Sequence, residues 1–145
     1  MGFFDFVKDA GKKLFGGEDA GAAGAAAIEK EVADLGLEGD IKVEVSGDTV
    51  KIAGAAPTQE AREKLILAAG NVLGIARVEE DIAVAASEPE ATFHTVKKGD
   101  TLWKVAEAAY GDGSKYQKIF EANRPMLSHP DKIYPGQVLR IPPLA

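Results

Sequence analysis

Side chains able to do chemistry are few in this 145-residue chain, and they are widely spaced. There are two histidines and no cysteine, so thiolate metal sites, cysteine nucleophiles and a disulfide framework are all excluded. His94 falls on an expected strand and His129 in a proline-rich loop, with no spacing that joins them. Ser128 precedes His129 directly, yet adjacency in sequence does not hold a nucleophile against its base. Glu79-Glu80-Asp81 gathers three carboxylates, but a strand sends alternate side chains to opposite faces, so the run reads as a solvated sheet edge. Neither the Asp-x-Asp-x-Asp-Gly calcium loop nor the Gly-x-x-x-x-Gly-Lys-Ser/Thr phosphate loop occurs. These residues argue against an enzyme. One kind of site leaves no side-chain motif: a weakly hydrated monovalent cation held by backbone carbonyls. Two helix ends have sequence that could turn carbonyls inward, Val7 to Ala10 approaching Gly11 and Gly70-Asn-Val-Leu-Gly-Ile75. On the residues alone, the glycines of the second read first as the plain end of a helix.

The elements that would position these groups follow from periodicity. Phe3, Phe6, Val7, Ala10 and Leu14 recur at helical spacing and predict an amphipathic helix over 3–15, stopped by Gly16-Gly17 and docked on the rest of the protein. From Gly16 to Ala27, ten of twelve residues are Gly or Ala, which predicts a flexible tether whose last alanines extend the next helix. Ile28, Val32 and Leu35 mark that helix, and Gly36 stops it. Ile41, Val43 and Val45 alternate with polar residues, then Gly47-Asp48 turns the chain into Val50 and Ile52, a β-hairpin. Thr58 caps a helix with the stripe Ala61, Leu65, Ala68 and Val72, ended by Gly70 and Gly74. Arg77 to Val84 is a third strand. The order αββαβ predicts two helices packed on a three-stranded sheet.

After the polar linker Ser87–Thr92, a strand over Phe93–Val96 leads to a helix capped by Asp100 and ended by Gly111. Ser114 and Gln117 suggest a capping box for a second helix through Asn123, which Arg124-Pro125 closes. The turn Tyr134-Pro-Gly-Gln137 then enters a strand over Val138–Ile141, giving βααβ. The expected class is α+β. Its parts are an N-terminal helix and tether (1–24), a first domain (25–86), a linker (87–91) and a second domain (92–142).

Composition agrees with two small globular modules: 46% of residues are hydrophobic and 28% charged. The net charge of −6 argues against non-specific nucleic-acid binding, which needs clustered cations. The first ninety residues hold nine Lys and Arg against eighteen Asp and Glu, whereas the remainder holds eight against five. That division suggests separate surfaces; the acidic residues of the first half either only keep it soluble or draw cations to it. The start has no basic region before its apolar residues, Asp5 interrupts them, and Phe6 stands where a myristoylation motif requires Ser or Thr. No run of about 18 apolar residues occurs. The expectation is a cytoplasmic monomer that engages neither membrane nor nucleic acid.

Two stretches resemble known families. Val43-Glu-Val-Ser-Gly-Asp-Thr-Val-Lys-Ile-Ala-Gly54, with Gly74-Ile-Ala-Arg-Val-Glu-Glu-Asp-Ile82 after the helix, is similar to the BON domain of bacterial proteins, many of which are periplasmic and associated with phospholipid. Val96-Lys-Lys-Gly-Asp-Thr-Leu102, Tyr110-Gly111, Ile119-Phe-Glu-Ala-Asn123 and Ile133-Tyr-Pro-Gly-Gln-Val-Leu-Arg-Ile-Pro142 resemble a LysM domain in order and spacing. The combination, with the Phe-rich start, resembles the cytoplasmic potassium-binding family of bacteria built from one BON and one LysM domain. That resemblance implies a potassium ion as cofactor, bound in the BON half without enzymatic activity. If the N-terminal helix docks beside the Gly70–Ile75 loop, the carbonyls of Val7, Ala10, Gly70, Val72, Leu73 and Ile75 would surround it. The alternative for the same residues is that Gly70 and Gly74 simply end a helix. The LysM resemblance implies a groove for N-acetylglucosamine glycans such as peptidoglycan fragments. Gly99, Asp100, Thr101, Leu102 and Trp103 would form one side, and Asn123, Ile133, Tyr134 and Pro135 the other. There, too, Trp103 and Tyr134 have the alternative of completing a small core. A lipid-associated adaptor using the BON domain and the Phe-rich start is a third reading.

Overall fold

A computed structural model describes residues 2–6, 21–72, 74–86 and 91–143. Among them lie four α-helices and two sheets, an α+β protein. The first half contributes β1 (Gly2–Asp5), α1 (Gly21–Asp34), β2 (Asp40–Ser46), β3 (Thr49–Thr58), α2 (Gln59–Gly70) and β4 (Arg77–Ala86). The second contributes β5 (Thr92–Thr95), α3 (Leu102–Tyr110), a 3₁₀ turn (Gly113–Lys115), α4 (Tyr116–Ala122) and β6 (Val138–Ile141).

The first sheet holds the three expected strands, β2, β3 and β4, and gains a fourth from the N-terminal segment, in the order β1-β4-β3-β2. β2 and β3 form the antiparallel hairpin, with Gly47 at φ +61° in its turn, a conformation that glycine adopts without a steric penalty. α2 carries the chain back so that β4 lies parallel to β3, Val50 opposite Val78 and Ile52 opposite Glu80. The fourth strand corrects the expected N-terminal helix. Gly2–Asp5 pairs antiparallel with β4, Phe4 opposite Val78 and Phe3 opposite Glu79. The period of 2 sends Phe4 onto the core and leaves Phe3 exposed. The remainder of the expected helix, from Val7 onward, lies outside the described residues. The tether is corrected as well, since α1 already begins at Gly21.

One core lies between this sheet and the two helices, with Ile28, Val50, Leu65, Ile66, Val78 and Ile75 fully buried. Thr58 caps α2 as expected, its hydroxyl accepting from the Ala61 amide at 3.1 Å. Glu80 is not on a solvated edge. β4 is an inner strand, and Glu80 is buried on its core face, paired with the Arg62 guanidinium of α2 and accepting from the Ile82 amide.

In the second half, β5 and β6 pair antiparallel, with α3 and α4 packed around Leu102, Ala106, Ile119 and Leu127. Two expected caps differ. The side chain of Thr101, not Asp100, caps α3 by accepting from the Lys104 amide at 3.1 Å, while Asp100 accepts instead from the Lys97 amide and His94. Asp112 caps the 3₁₀ turn through the Ser114 amide, and Gln117 donates to the Tyr116 hydroxyl rather than closing a capping box.

The halves meet through a buried polar junction. Arg140 of β6 donates from Nε and Nη2 to Oε1 of Glu63 on α2, at 3.1 and 2.8 Å, with both side chains nearly inaccessible. Oε2 of Glu63 accepts from the Ala91 amide and from Gln59, so every arm of the pair is occupied. Phe4 and Phe93 meet edge to face beside it, their ring centroids 5.2 Å apart.

Candidate functional sites

The first candidate is the end of α2. Its last residue, Gly70, has the Phe6 ring directly on its Cα; a Cβ at Gly70 would fall inside that ring. The Phe6 amide donates to the Ala76 carbonyl at 2.9 Å, fixing the N-terminal segment against the strand-entry side of the same loop. Within the loop the Ile75 amide donates to the Val72 carbonyl at 3.0 Å, and Gly74 takes φ +99°. Val72 and Ile75 are buried. The arrangement puts the negative end of the α2 dipole beside Phe6. Gly70, Val72 and Ile75 lie on this one turn, Val72 and Ile75 joined by its hydrogen bond; Val7, Ala10 and Leu73 lie outside the described residues.

The second candidate is a cleft of about 490 Å³ in the second half, lined by Thr101, Leu102, Trp103, Tyr116, His129, Pro130 and Asp131. Trp103 is 51% exposed, with its ring held over Gly113 and 6.1 Å from that of Tyr116. The turn leading into the cleft is stiffened by Asp100, whose Oδ2 accepts from the Lys97 amide at 2.9 Å and lies 3.0 Å from His94 Nε2. The Lys97 amide hydrogen bond and the His94 contact hold the Asp100 carboxyl below its ordinary range.

The expected two-sided groove is only partly assembled. Thr101, Leu102 and Trp103 line the cleft, and Gly99 and Asp100 form the turn before it. Asn123 is buried, with its amide bonded to Ile119 and Arg140 backbone groups, so it presents nothing to a ligand in this cleft. Ile133 packs on the second core. Tyr134 lines a different cavity of about 480 Å³ between the halves, with Glu31, Leu67, Asn71 and Met126, and burial pushes its hydroxyl pKa up. Pro135 is exposed beside it. Sequence spacing missed Tyr116, His129, Pro130 and Asp131; the aromatic at 116, one helix away from Trp103, was the available signal. Among the described residues no group of three or more His, Asp or Glu side chains is placed to hold a metal ion. No helix among them is long and apolar enough to cross a membrane.

The family model of the BON domain matches residues 24–86, and that of the LysM domain matches residues 94–142. Over 98% of this chain and 99% of its own length, the potassium binding protein Kbp of Escherichia coli O6:H1 is 42% identical. The chain belongs to the Kbp family. Partial relatives include an uncharacterized protein of Deinococcus radiodurans, 55% identical over 35% of this chain and 19% of its own length. Another is the uncharacterized protein YqbP of Bacillus subtilis, 43% identical over 34% of this chain and 26% of its own. Shared length sets Kbp apart from these two, since it matches both domains and the segment before them, whereas they match about a third of the chain.

Proposed function

We propose that this Kbp-family chain is a non-enzymatic potassium-binding and potassium-sensing protein of the cytoplasm, with the ion held by backbone carbonyls of the BON half. The proposed ligand set is Val7, Ala10, Gly70, Val72, Leu73 and Ile75. The supporting observation is the seat of Phe6 on Gly70, with its amide on the Ala76 carbonyl, because it brings the N-terminal segment to the loop at the end of α2. Carbonyl dipoles suit a large monovalent cation, which exchanges its weakly held water for them at little cost. The acidic first half raises the local cation concentration. Full-length whole-Kbp similarity supports the same ligand. Titration of the full chain with potassium chloride should shift the amides of Gly70 to Ala76, and sodium chloride at equal ionic strength should shift them less. Removing residues 1–15 should abolish the potassium response while leaving the LysM domain folded. A truncated chain that binds potassium as tightly as the full one refutes the N-terminal half of the ligand set.

A second reading has its own observation. An exposed Trp103 beside Tyr116, over a preformed cleft, is an apolar face suited to a pyranose ring. We infer that the LysM domain retains a surface for N-acetylglucosamine glycans. Millimolar chitin oligomers or peptidoglycan fragments that leave Trp103 fluorescence unchanged count against it.

A further inference from the structure

Among the described residues strand β6 has one strand, β5, beside it, yet its far edge is closed. Asn123, from the same domain, donates from Nδ2 to the Arg140 carbonyl at 2.9 Å and accepts from the Arg140 amide at 2.8 Å. Two residues earlier the same pattern recurs with a partner from the other domain. Asn71 donates from Nδ2 to the Val138 carbonyl at 2.8 Å and accepts from the Val138 amide at 2.9 Å. Residues two apart on a strand turn their backbone groups to the same side, so the two carboxamides stand in for a missing strand. Both orientations of each amide are fixed, because each pairs one donor and one acceptor of the backbone.

The position of Asn71 makes this more than an edge cap. It is the residue after the end of α2, its own amide donating to the Leu67 carbonyl at 2.9 Å. It lies between Gly70, covered by Phe6, and Val72, whose carbonyl accepts from Ile75. Any rotation of the peptides at Gly70 or Val72 moves the Asn71 Cα, and with it two hydrogen bonds to the LysM strand. We propose that Asn71 is the positioning residue that couples the loop after α2 to the LysM domain, so that an ion on the loop carbonyls is read at Val138. The inference rests on the potassium reading above.

Coupling is reciprocal: the factor by which the ion strengthens the Asn71–Val138 bonds is the factor by which those bonds strengthen ion binding. Amide hydrogen exchange in the full chain reads this directly, since the Val138 amide is donated to Asn71, while the Arg140 amide, donated to Asn123, serves as an internal control. Potassium should slow exchange at Val138 about fivefold or more and leave Arg140 less affected. Asn71→Ala should remove the potassium dependence at Val138 and weaken potassium affinity by a similar factor. Asn71→Asp, which keeps the acceptor for the Val138 amide and loses the donor, should recover part of it. If Asn71 is merely structural, Asn71→Ala raises Val138 exchange by the same factor with and without potassium, so that the potassium dependence survives, which overturns the proposal. Loop amides that respond to potassium while Val138 does not overturn the coupling alone. Loop amides that do not respond at all overturn the ion reading and the coupling with it.

Discussion

Replacing Glu63 by methionine strands the Arg140 guanidinium in the junction, and the cost can be worked from its surroundings. The Arg140 side chain is 6% exposed and that of Glu63 3%, so water does not reach the charge left behind. Oε1 of Glu63 takes two of the Arg140 hydrogen bonds; the remaining one, from Nη1 to the Ala122 carbonyl at 3.2 Å, carries no countercharge. Breaking a buried pair by removing one partner costs about 3–5 kcal/mol. For a chain of this length, each kcal/mol lowers the melting temperature by about 3 °C, so Glu63→Met should melt about 9–15 °C lower. Glu63→Met with Arg140→Met removes both charges and should regain part of that loss. It should not regain all, because the Ala91 amide, which donates to Glu63 Oε2 at 2.9 Å, is left without its acceptor, a deficit of about 1–3 kcal/mol. Differential scanning calorimetry of wild type, both single variants and the double variant closes the cycle. A Glu63→Met penalty under about 1 kcal/mol, the value for a solvated pair, would refute the reasoning. It would mean that Arg140 escapes to water and that the domains part in solution.

Other perturbations have simpler readings. Gly54 takes φ +148°, and a Cβ there would run into the Asp40 and Ile41 backbone of the paired strand, so Gly54→Ala should cost about 3 kcal/mol in urea unfolding. Thr101→Ala removes the cap of α3 and should cost about 1 kcal/mol, whereas Thr101→Ser should cost less than half of that. Burial pushes the Glu80 carboxyl up, but its hydrogen bonds from Arg62 and the Ile82 amide outweigh burial and hold its pKa below the ordinary value. A carboxylate with a folded pKa below its unfolded one contributes stability above the unfolded value, about pH 4.3, and loses it as pH falls through the folded value. Stability of the wild type should therefore fall on acidification below that point, and Glu80→Gln, already destabilised at neutral pH, should fall less over the same range.

Local signals carried much of the fold. The hairpin around Gly47, the Thr58 cap and the left-handed Gly111 after α3 each depend on neighbours within a few residues, and each is visible in sequence. β1 is not local. Phe3, Phe6 and Val7 fit a helical period, and only pairing with β4, more than seventy positions away, selects the strand. Asp100 and Thr101 are both good cap residues; the choice falls to Thr101 because the Lys97 amide and His94 occupy Asp100. Glu80 has acidic neighbours in Glu79 and Asp81, which point to a solvated run, and only Arg62 of α2, 18 positions away, makes it a buried partner. For the sites, the aromatic Trp103 was legible and its partner loop at 129–131 was not, because a cleft is a property of two distant segments. Carbonyl ligands carry no side-chain signature at all, and the loop at 70–75 stood out only through its glycines.

The uneven charge of the chain takes on a different meaning once the junction is seen. An acidic first half and a basic second half suggest two modules with separate surfaces, yet Glu63 from the acidic half and Arg140 from the basic half meet where neither touches water. Long-range attraction between such halves speeds their approach but does not select one orientation. Orientation comes from groups that must be satisfied once buried: the forked guanidinium on one carboxylate, the Ala91 amide on its other oxygen, and the Asn71 carboxamide on Val138. A slide of even one residue along β6 would turn Arg140 and Val138 to the opposite side and leave all of these groups unpaired. An apolar contact such as Phe4 on Phe93 tolerates that slide far better. The polar groups thus contribute registry more than net binding energy, and registry is what a loop at the end of α2 requires if its backbone is to bear on a strand of the neighbouring domain.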